Sequence, residues 1–390
     1  MVAGEPSGDA LGARLMAALR DATGGTVRFA GVGGERMTAE GLDSLFPMAD
    51  IALMGLAEVV PRLPRVLRRI RQTVDAARAM DPDIMVTIDV PSFARRVAAG
   101  LHDRAFPLVH YVAPTVWAWR PRRAAKLARA VDHLMTLLPF EPPFFEAVGL
   151  PATFVGHPVV ESGAGSGEGA CFRVRHGIAA TAPVLCALPG SRAGEVRRLL
   201  PVFGATVARL AEARPGLRIV VPTVLGVADT VRRETARWPG APVVVLGDTD
   251  KWDAFAAADA ALAASGTVSL ELAFAGVPAV IAYKVSPATA WIVRRLIRVR
   301  HASLVNILHD REVIPEFLQQ DCTPDRLAAA VARLLDDPAA GAAQRAAEAS
   351  VAAALGRGGP PPSRRAADVV LRVLADRAGR PTSLAGRSTA

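Results

Sequence analysis

Two α/β domains, each a doubly wound parallel sheet, are predicted for this 390-residue chain. Three observations carry the prediction. Short apolar runs alternate with longer helical patterns along most of the length, as in successive βαβ units. A Gly- and Ser-rich segment splits that alternation into two series. Most of the apolar runs end in small-residue loops that open a helix, the connection that gathers ligand-binding loops at the carboxyl ends of parallel strands.

In the first series, strands are expected at Val27–Val32, Ile84–Ile88, Leu108–Val112 and Leu134–Leu138, with helical stretches between them. The segment from Glu161 to Ala170 reads ESGAGSGEGA; it has no large side chain to pack, which predicts a flexible linker and a domain boundary. In the second series, strands are expected at Val184–Leu188, Arg218–Pro222, Val243–Leu246, Ala260–Ala263 and Ala279–Ala282. Beyond Thr323 the pattern is Ala- and Arg-rich and helical to about Ala378, followed by a polar tail. The expected division is therefore 1–160, a linker at 161–170, 171–335, C-terminal helices at 336–378 and a flexible tail at 379–390. Two such domains on a hinge are expected to face each other across a ligand cleft.

Composition narrows the function. Lys plus Arg total 46 against 37 Asp plus Glu, a formal charge of +9, and 51% of residues are hydrophobic, which excludes global disorder. Only Lys126, Lys251 and Lys284 are lysines; the arginine excess travels with abundant Ala, Gly and Pro, as in a GC-rich genome, and is not read as a nucleic-acid footprint. Cys171, Cys186 and Cys322 form no C-x-x-C and no ligand spacing with histidine, which argues against a disulfide framework or a zinc site. No apolar run approaches the ~18 residues that cross a bilayer, and no signal-peptide pattern opens the chain, so a cytoplasmic protein is expected. Two stretches, Pro61 to Arg71 and Trp291 to His301, interleave arginines with large aliphatics. In the first, Arg65, Leu67, Arg68, Arg69 and Arg71 are candidates for a basic amphipathic surface docking on anionic lipid.

Several loops carry chemistry. Leu188-Pro189-Gly190-Ser191-Arg192 leaves a strand and enters a helix: Gly190 permits close backbone approach, Ser191 can cap the helix, and Arg192 presents a fork to phosphate oxygens. Ser265, Gly266 and Thr267 form a second strand-to-helix turn with free amides, and Glu271, one turn further in, can accept both hydroxyls of a ribose. In the first half, Ala3 to Asp9 is a small-residue loop opening a helix, and its Glu5, Ser7 and Asp9, with Trp117 and Arg120, are the candidates for the acceptor side. Gly31-Val32-Gly33-Gly34 lacks the third glycine of a dinucleotide fingerprint, which disfavours a nicotinamide cofactor. Asp89 ends an apolar strand before Pro91 and is the general-base candidate, its pKa expected to rise beside apolar neighbours. Trp117 and Trp119, followed by Arg120, can stack on a sugar and grip a phosphate. Asp81-Pro82-Asp83 and Asp248-Thr249-Asp250 match the D-x-D of metal-dependent glycosyltransferases but are read as turns, so neither a catalytic metal nor any other cofactor is expected.

Taken together, AGEPSGDALGARLM (3–16), GVGGERM (31–37), LMGLAEVV (53–60), HYVAPTVWAWRPRR (110–123), FVGHPVVE (154–161), LPGSRAGEV (188–196), ASGTVSLELAFAGVPAVIAYK (264–284) and NILHDREVIPEFLQ (306–319) closely resemble the signatures of the lipid-A-disaccharide synthase family, in its order. The resemblance implies a GT-B glycosyltransferase of two Rossmann-like domains. It implies transfer from UDP-2,3-diacylglucosamine to 2,3-diacylglucosamine 1-phosphate (lipid X), with inversion, giving the β(1→6) disaccharide of lipid A and UDP. It also implies Asp89 as base, Arg192 at the nucleotide phosphates, Ser265, Gly266, Thr267, Glu271, Asn306 and Glu312 on the UDP side, peripheral association with the cytoplasmic face of the inner membrane, and a homodimer through the C-terminal part. The chain departs from the family at Ser92 and Ala94, where relatives often carry Asp and Asn, and at its start, where only Met1 and Val2 precede Ala3. Two residues are too few for a central strand, which predicts a weakened first sheet and a native start upstream. Two alternatives stand beside this reading: another GT-B enzyme on UDP-GlcNAc-type substrates (a 2-epimerase or a lipid II-forming transferase), and a non-catalytic protein that binds anionic lipid or nucleic acid.

Overall fold

The apolar runs become strands buried on both faces: Met85–Ile88, Leu108–Tyr111 and Val184–Leu188 are buried at every position, as parallel strands covered by helices require. The structure is a computed structural model that describes residues 1–51, 56–117, 122–240, 242–286 and 300–378. It divides into two units, Val159–Gly358 and a first unit that takes Met1–Pro158 and, among the described residues, 359–378.

The first unit is a parallel sheet of β1 (Val2–Ala3), β2 (Met85–Ile88), β3 (Leu108–Tyr111), β4 (His133–Thr136) and β5 (Ala152–Phe154), in that spatial order. Alternate strand residues feed opposite faces. Val86 and Ile88 pack with Leu15 and Leu19 of α1 (Pro6–Ala22) and with Ala366 and Val370 of the helix Pro362–Ala378. Met85 and Leu108 pack with Ile70 and Val74 of α3 (Leu56–Met80) and Val97 of α4 (Pro91–Gly100); the short α2 (Glu35–Ala39) lies between α1 and α3 in the chain. The expected strand at Val27–Val32 shrinks to two bridges, Val2 with Val32 and Gly31 with Ser44. Its neighbour β1 presents only Val2 and Ala3, so residues 27–29 have no strand to pair with. Those two residues nevertheless pair on both sides, with Thr87 and Ile88 of β2 and through Val2 with Val32, which corrects the expectation that they are too few for a central position.

The second unit is a parallel sheet of β6 (Val184–Leu188), β7 (Arg218–Thr223), β8 (Val243–Leu246), β9 (Ala260–Ala264), β10 (Ala279–Tyr283) and β11 (Glu316–Leu318), in the order β11-β10-β9-β6-β7-β8. One face carries Leu199, Phe203 and Val207 of α8 (Ala193–Ala213) with Leu327 and Val331 of the helix Pro324–Asp336. The other carries Phe172 of α7 (Gly169–Arg175) and Ala254 and Ala257 of α10 (Asp248–Ala257), with α11 (Val268–Ala275) against α10. β5 and β11 escape sequence reading because three residues show no period and both are only half-buried.

Two boundaries differ from expectation. The last described helix belongs to the first unit, where it packs on α1, and does not extend the second. The Gly-rich segment 161–169 is also not an unpacked linker. A Cβ on Gly163 would meet the Trp252 indole, and one on Gly167 or Gly169 would fall inside van der Waals contact of the Trp252 or Ala256 carbonyl oxygen. The Glu168 amide donates to Asp253 Oδ1 at 2.7 Å. Small residues are therefore required here by the close approach of α10 rather than by flexibility. Gly167→Ala should destabilise the second unit by about 1–3 kcal/mol, whereas Gly216→Ala, with open space around it, should stay within about 0.5 kcal/mol. Urea unfolding followed by tryptophan fluorescence checks both.

Candidate functional site

In the first unit the chain reverses direction across the sheet between β1 and β2: the connection from β1 leads toward Val32 and that from β2 toward β3. Loops after those two strands therefore flank a crevice at their carboxyl ends. Asp89 follows β2 directly and is half-buried. Its Oδ1 accepts the Val90 amide at 2.8 Å and its Oδ2 accepts the Ser7 hydroxyl at 3.4 Å. Gly4 makes this approach possible, since a Cβ there would overlap the Val90 side chain, whereas one at Gly8 would stand in ordinary contact with the Ile88 carbonyl oxygen. Asp89 and Val90 both have positive φ, 57° and 46°, before Pro91 starts α4. A left-handed, β-branched valine costs on the order of 1–3 kcal/mol, and such strain concentrates where a side chain must be aimed.

The other residues expected on this side differ in role. Glu5, half-buried, precedes α1, and Ser7 is exposed in its first turn. Asp9 is only 5% exposed and accepts the amides of Gly34, Arg36 and Met37 at 2.7–3.0 Å. It caps α2 from a distance. Trp117, half-buried, donates its Nε1 to Glu141 Oε1 at 3.2 Å and sits edge-on to Phe140. Arg120, like Trp119, lies outside the described residues. Sequence reading missed Glu141, which is 3% exposed; burial pushes its pKa up to about 7 against the lowering pull of its hydrogen bonds to the Leu138 and Leu137 amides and Trp117. Its only sequence signal is a carboxylate in an otherwise apolar LLPFEPPFF run.

The second unit has its reversal between β6 and β9, and the two predicted anion loops follow those adjacent strands. Gly190 has φ 113°, and a Cβ there would strike the Glu195 carboxylate, which also accepts the Ser191 amide at 3.3 Å. The cap position of α8 is Arg192 rather than Ser191, and no side chain caps the helix. Ser191 and Arg192 are exposed, and the Arg192 guanidinium has no partner among the described residues. At the neighbouring turn, Ser265 Oγ donates to the Ala302 carbonyl at 3.0 Å, while Gly266 and Thr267 are exposed at the start of α11 with no side-chain cap. Both helix starts thus present uncapped positive ends to one crevice.

Glu271 is not free: Lys251 Nζ lies 3.3 Å from its carboxylate and from Asp248, and 3.9 Å from the Trp252 ring centroid. Burial raises the Glu271 pKa, and Lys251 counteracts it. Asp250, the other carboxylate of this D-x-D, pairs with Arg175 at 3.2 Å. Asn306 is fully buried; Oδ1 accepts the Val313 and Ile314 amides and Nδ2 donates to the Ile314 carbonyl and Glu316 Oε1, all within 2.7–2.9 Å. These bonds fill its two donors and two acceptor sites and fasten the loop that follows it. Glu312, in the loop so fastened, is exposed.

On α3, Leu63 and Leu67 are 38% and 43% exposed, and Pro64, Arg65, Arg68 and Arg71 are exposed on the same stretch. Arg69 points the other way. It grips Asp50 Oδ2 through Nε and Nη2 at 2.8 and 2.6 Å and covers the Phe46 ring, which removes it from the expected docking set. Of the second basic stretch, residues 291–299 lie outside the described residues.

The sequence profile of the lipid-A-disaccharide synthetase family matches residues 1–358. The chain is 60% identical over 386 residues to a lipid-A-disaccharide synthase of Rhodospirillum centenum, covering 97% of this chain and 96% of the relative. It is 54% identical over 375 residues to one of Paramagnetospirillum magneticum, with 95% and 96% covered. A solved S. aureus MnaA–UDP co-structure is similar in fold, with a TM-score of 0.64 at 12% identity and 98% of each chain covered.

With all of its hydrogen bonds inside the second unit, Asn306→Ala should cost about 2–4 kcal/mol of stability, while Glu312→Ala should change it by less than about 0.5 kcal/mol. Thermal unfolding of the two variants measures the difference.

Proposed function

Because the chain belongs to the lipid-A-disaccharide synthetase family, we propose that its two units divide one inverting sugar transfer, the first activating the acceptor hydroxyl and the second holding the departing nucleotide. The protein is a GT-B glycosyltransferase that joins UDP-2,3-diacylglucosamine to 2,3-diacylglucosamine 1-phosphate. The acceptor's 6-hydroxyl oxygen attacks the anomeric carbon from the face opposite UDP; the C–O bond to the β-phosphate breaks as the new glycosidic bond forms. Asp89 takes the hydroxyl proton. Arg192 and the uncapped starts of α8 and α11, at the Gly190–Ser191 turn and the turn of Ser265, Gly266 and Thr267, stabilise the charge that develops on the diphosphate. Glu271, kept in place by Lys251, accepts the ribose hydroxyls. Glu312, exposed beside the fastened loop, remains on the UDP side.

The single observation that supports this reading is the aimed carboxylate of Asp89, held by the Val90 amide and the Ser7 hydroxyl on a strained turn at a strand-order reversal. UDP release from the two lipid precursors tests it. Asp89→Asn should lower kcat by about 10²–10⁴-fold, and Arg192→Ala by about 10²–10³-fold. Unaltered turnover in Asp89→Asn removes the base assignment.

Both substrates keep their acyl chains in lipid, and the exposed Leu63, Leu67, Arg65, Arg68 and Arg71 of α3 fit a surface that docks on an anionic cytoplasmic leaflet. Replacing Arg65, Arg68 and Arg71 together by Gln should weaken binding to phosphatidylglycerol vesicles by about 100-fold and flatten its salt dependence, at roughly 1 kcal/mol per arginine. Vesicle sedimentation at two ionic strengths checks this; equal binding by both proteins counts against the surface.

A further inference from the structure

We infer that Glu141 is a positioning residue of the acceptor site, whose buried carboxylate clamps the Trp117 indole into a fixed wall for the acceptor sugar. The inference rests on the acceptor reading of the first unit and extends it to a residue that reading does not use. The register of the sheet sets the stage: Ile88, Tyr111 and Met135 are neighbours across β2, β3 and β4, so the loops leaving these strands rise side by side with Asp89 at the head of the first. The loop after β3 opens on Val112 at φ 83°, whose amide donates to the Met135 carbonyl, and reaches Trp117 five residues later. The loop after β4 holds Glu141.

Glu141 ties the two loops together. Its Oε2 accepts the amides of Leu137 and Leu138 at 3.2 and 3.0 Å, fastening its own loop, and its Oε1 accepts the Trp117 ring N–H at 3.2 Å. Phe140 meets the indole edge-on, with centroids 5.2 Å apart and planes 86° apart. The orientation is the reverse of the usual one for a tryptophan at a protein surface, where the N–H faces water and the ring packs inward. Here the polar edge is turned in to a buried carboxylate although the residue as a whole is only half-buried. A flat aromatic ring held rigid on the loop after β3, the strand paired with the one that leads into the candidate base, suits the apolar C–H face of a pyranose, and ordering it before binding removes that entropic cost from acceptor capture.

Initial rates on the full chain in mixed detergent micelles, varying 2,3-diacylglucosamine 1-phosphate and UDP-2,3-diacylglucosamine separately, test this. Glu141→Gln can still accept the two loop amides through its carbonyl oxygen but opposes the indole N–H with its own amide donors. Trp117→Phe keeps an aromatic ring and leaves the loop amides bonded to Glu141. Each should raise the acceptor KM about tenfold, leave the donor KM unaltered and change kcat by less than about threefold. The double variant should be no worse than the worse single variant, because both break one contact. A donor KM that rises equally, effects that multiply in the double variant, or an unaltered acceptor KM would each overturn the inference. If Glu141→Gln does not fold, the KM split of Trp117→Phe decides. Failure of the underlying reading looks different: UDP release would be absent, or indifferent to Asp89→Asn, in otherwise unsubstituted protein.

Discussion

Parallel strands joined by right-handed crossovers leave a gap only where the winding reverses, and that constraint places the Asp89 turn and the two anion-ready turns of this protein. At a reversal, two adjacent strands send their connections to opposite faces, so nothing fills the space above their carboxyl ends. The first unit reverses between β1 and β2, and the second between β6 and β9. Ser7 and Asp89 lie on the loops of one pair; Gly190 to Arg192 and Ser265 to Thr267 lie on the loops of the other. The helices that follow, α1 and α4 in one unit and α8 and α11 in the other, cover opposite faces of their sheets, as the constraint demands.

The same topology is used for opposite electrostatic ends. In the first unit a carboxylate is offered, and its turn is strained to aim it, with positive φ at Asp89, at Val90 and, one strand over, at Val112. Gly4 provides the space for the chain leaving β1 to pass against it. In the second unit two helices begin without side-chain caps and, beside them, the Arg192 guanidinium has no partner among the described residues, which leaves donors facing the place an anion would occupy. Acidic groups nearby are engaged elsewhere: Glu195 under the Gly190 turn, Asp248 and Glu271 on Lys251, and Asp250 on Arg175. An acid-base half and an anion-binding half are what a nucleotide-sugar transferase requires, and the proposed function assigns one to each unit.

Much of this was legible in the sequence because buried parallel strands are continuous apolar runs and the loops after them are made of Gly, Ser and charged residues. Asp89, Arg192 and the Ser265 turn all lie where the strand ends predicted. What could not be read was how polar side chains divide between ligand and scaffold. Asp9 and Asn306 have the residue types of a site, yet Asp9 accepts three backbone amides 25 to 28 residues away, and Asn306 bonds backbone groups 7 and 8 residues away and the Glu316 carboxylate, partners that only the folded chain brings together. Arg69 belongs to a basic stretch by sequence but to Asp50 by helix rotation. The Gly-rich segment at 161–169 looked like a linker because composition does not distinguish glycines that confer freedom from glycines that permit contact with Trp252 and Ala256. Glu141 was invisible for the converse reason: a lone glutamate among prolines and phenylalanines gives no hint that three donors converge on it.

The central claim is a division of labour in which nucleotide affinity belongs to the second unit alone. Calorimetric titration of UDP into the Asp89→Asn and Arg192→Ala proteins measures it most directly. The account predicts the UDP affinity of the unsubstituted chain in Asp89→Asn and a loss of about tenfold or more in Arg192→Ala. Equal weakening in both, or full affinity without the guanidinium, would contradict it.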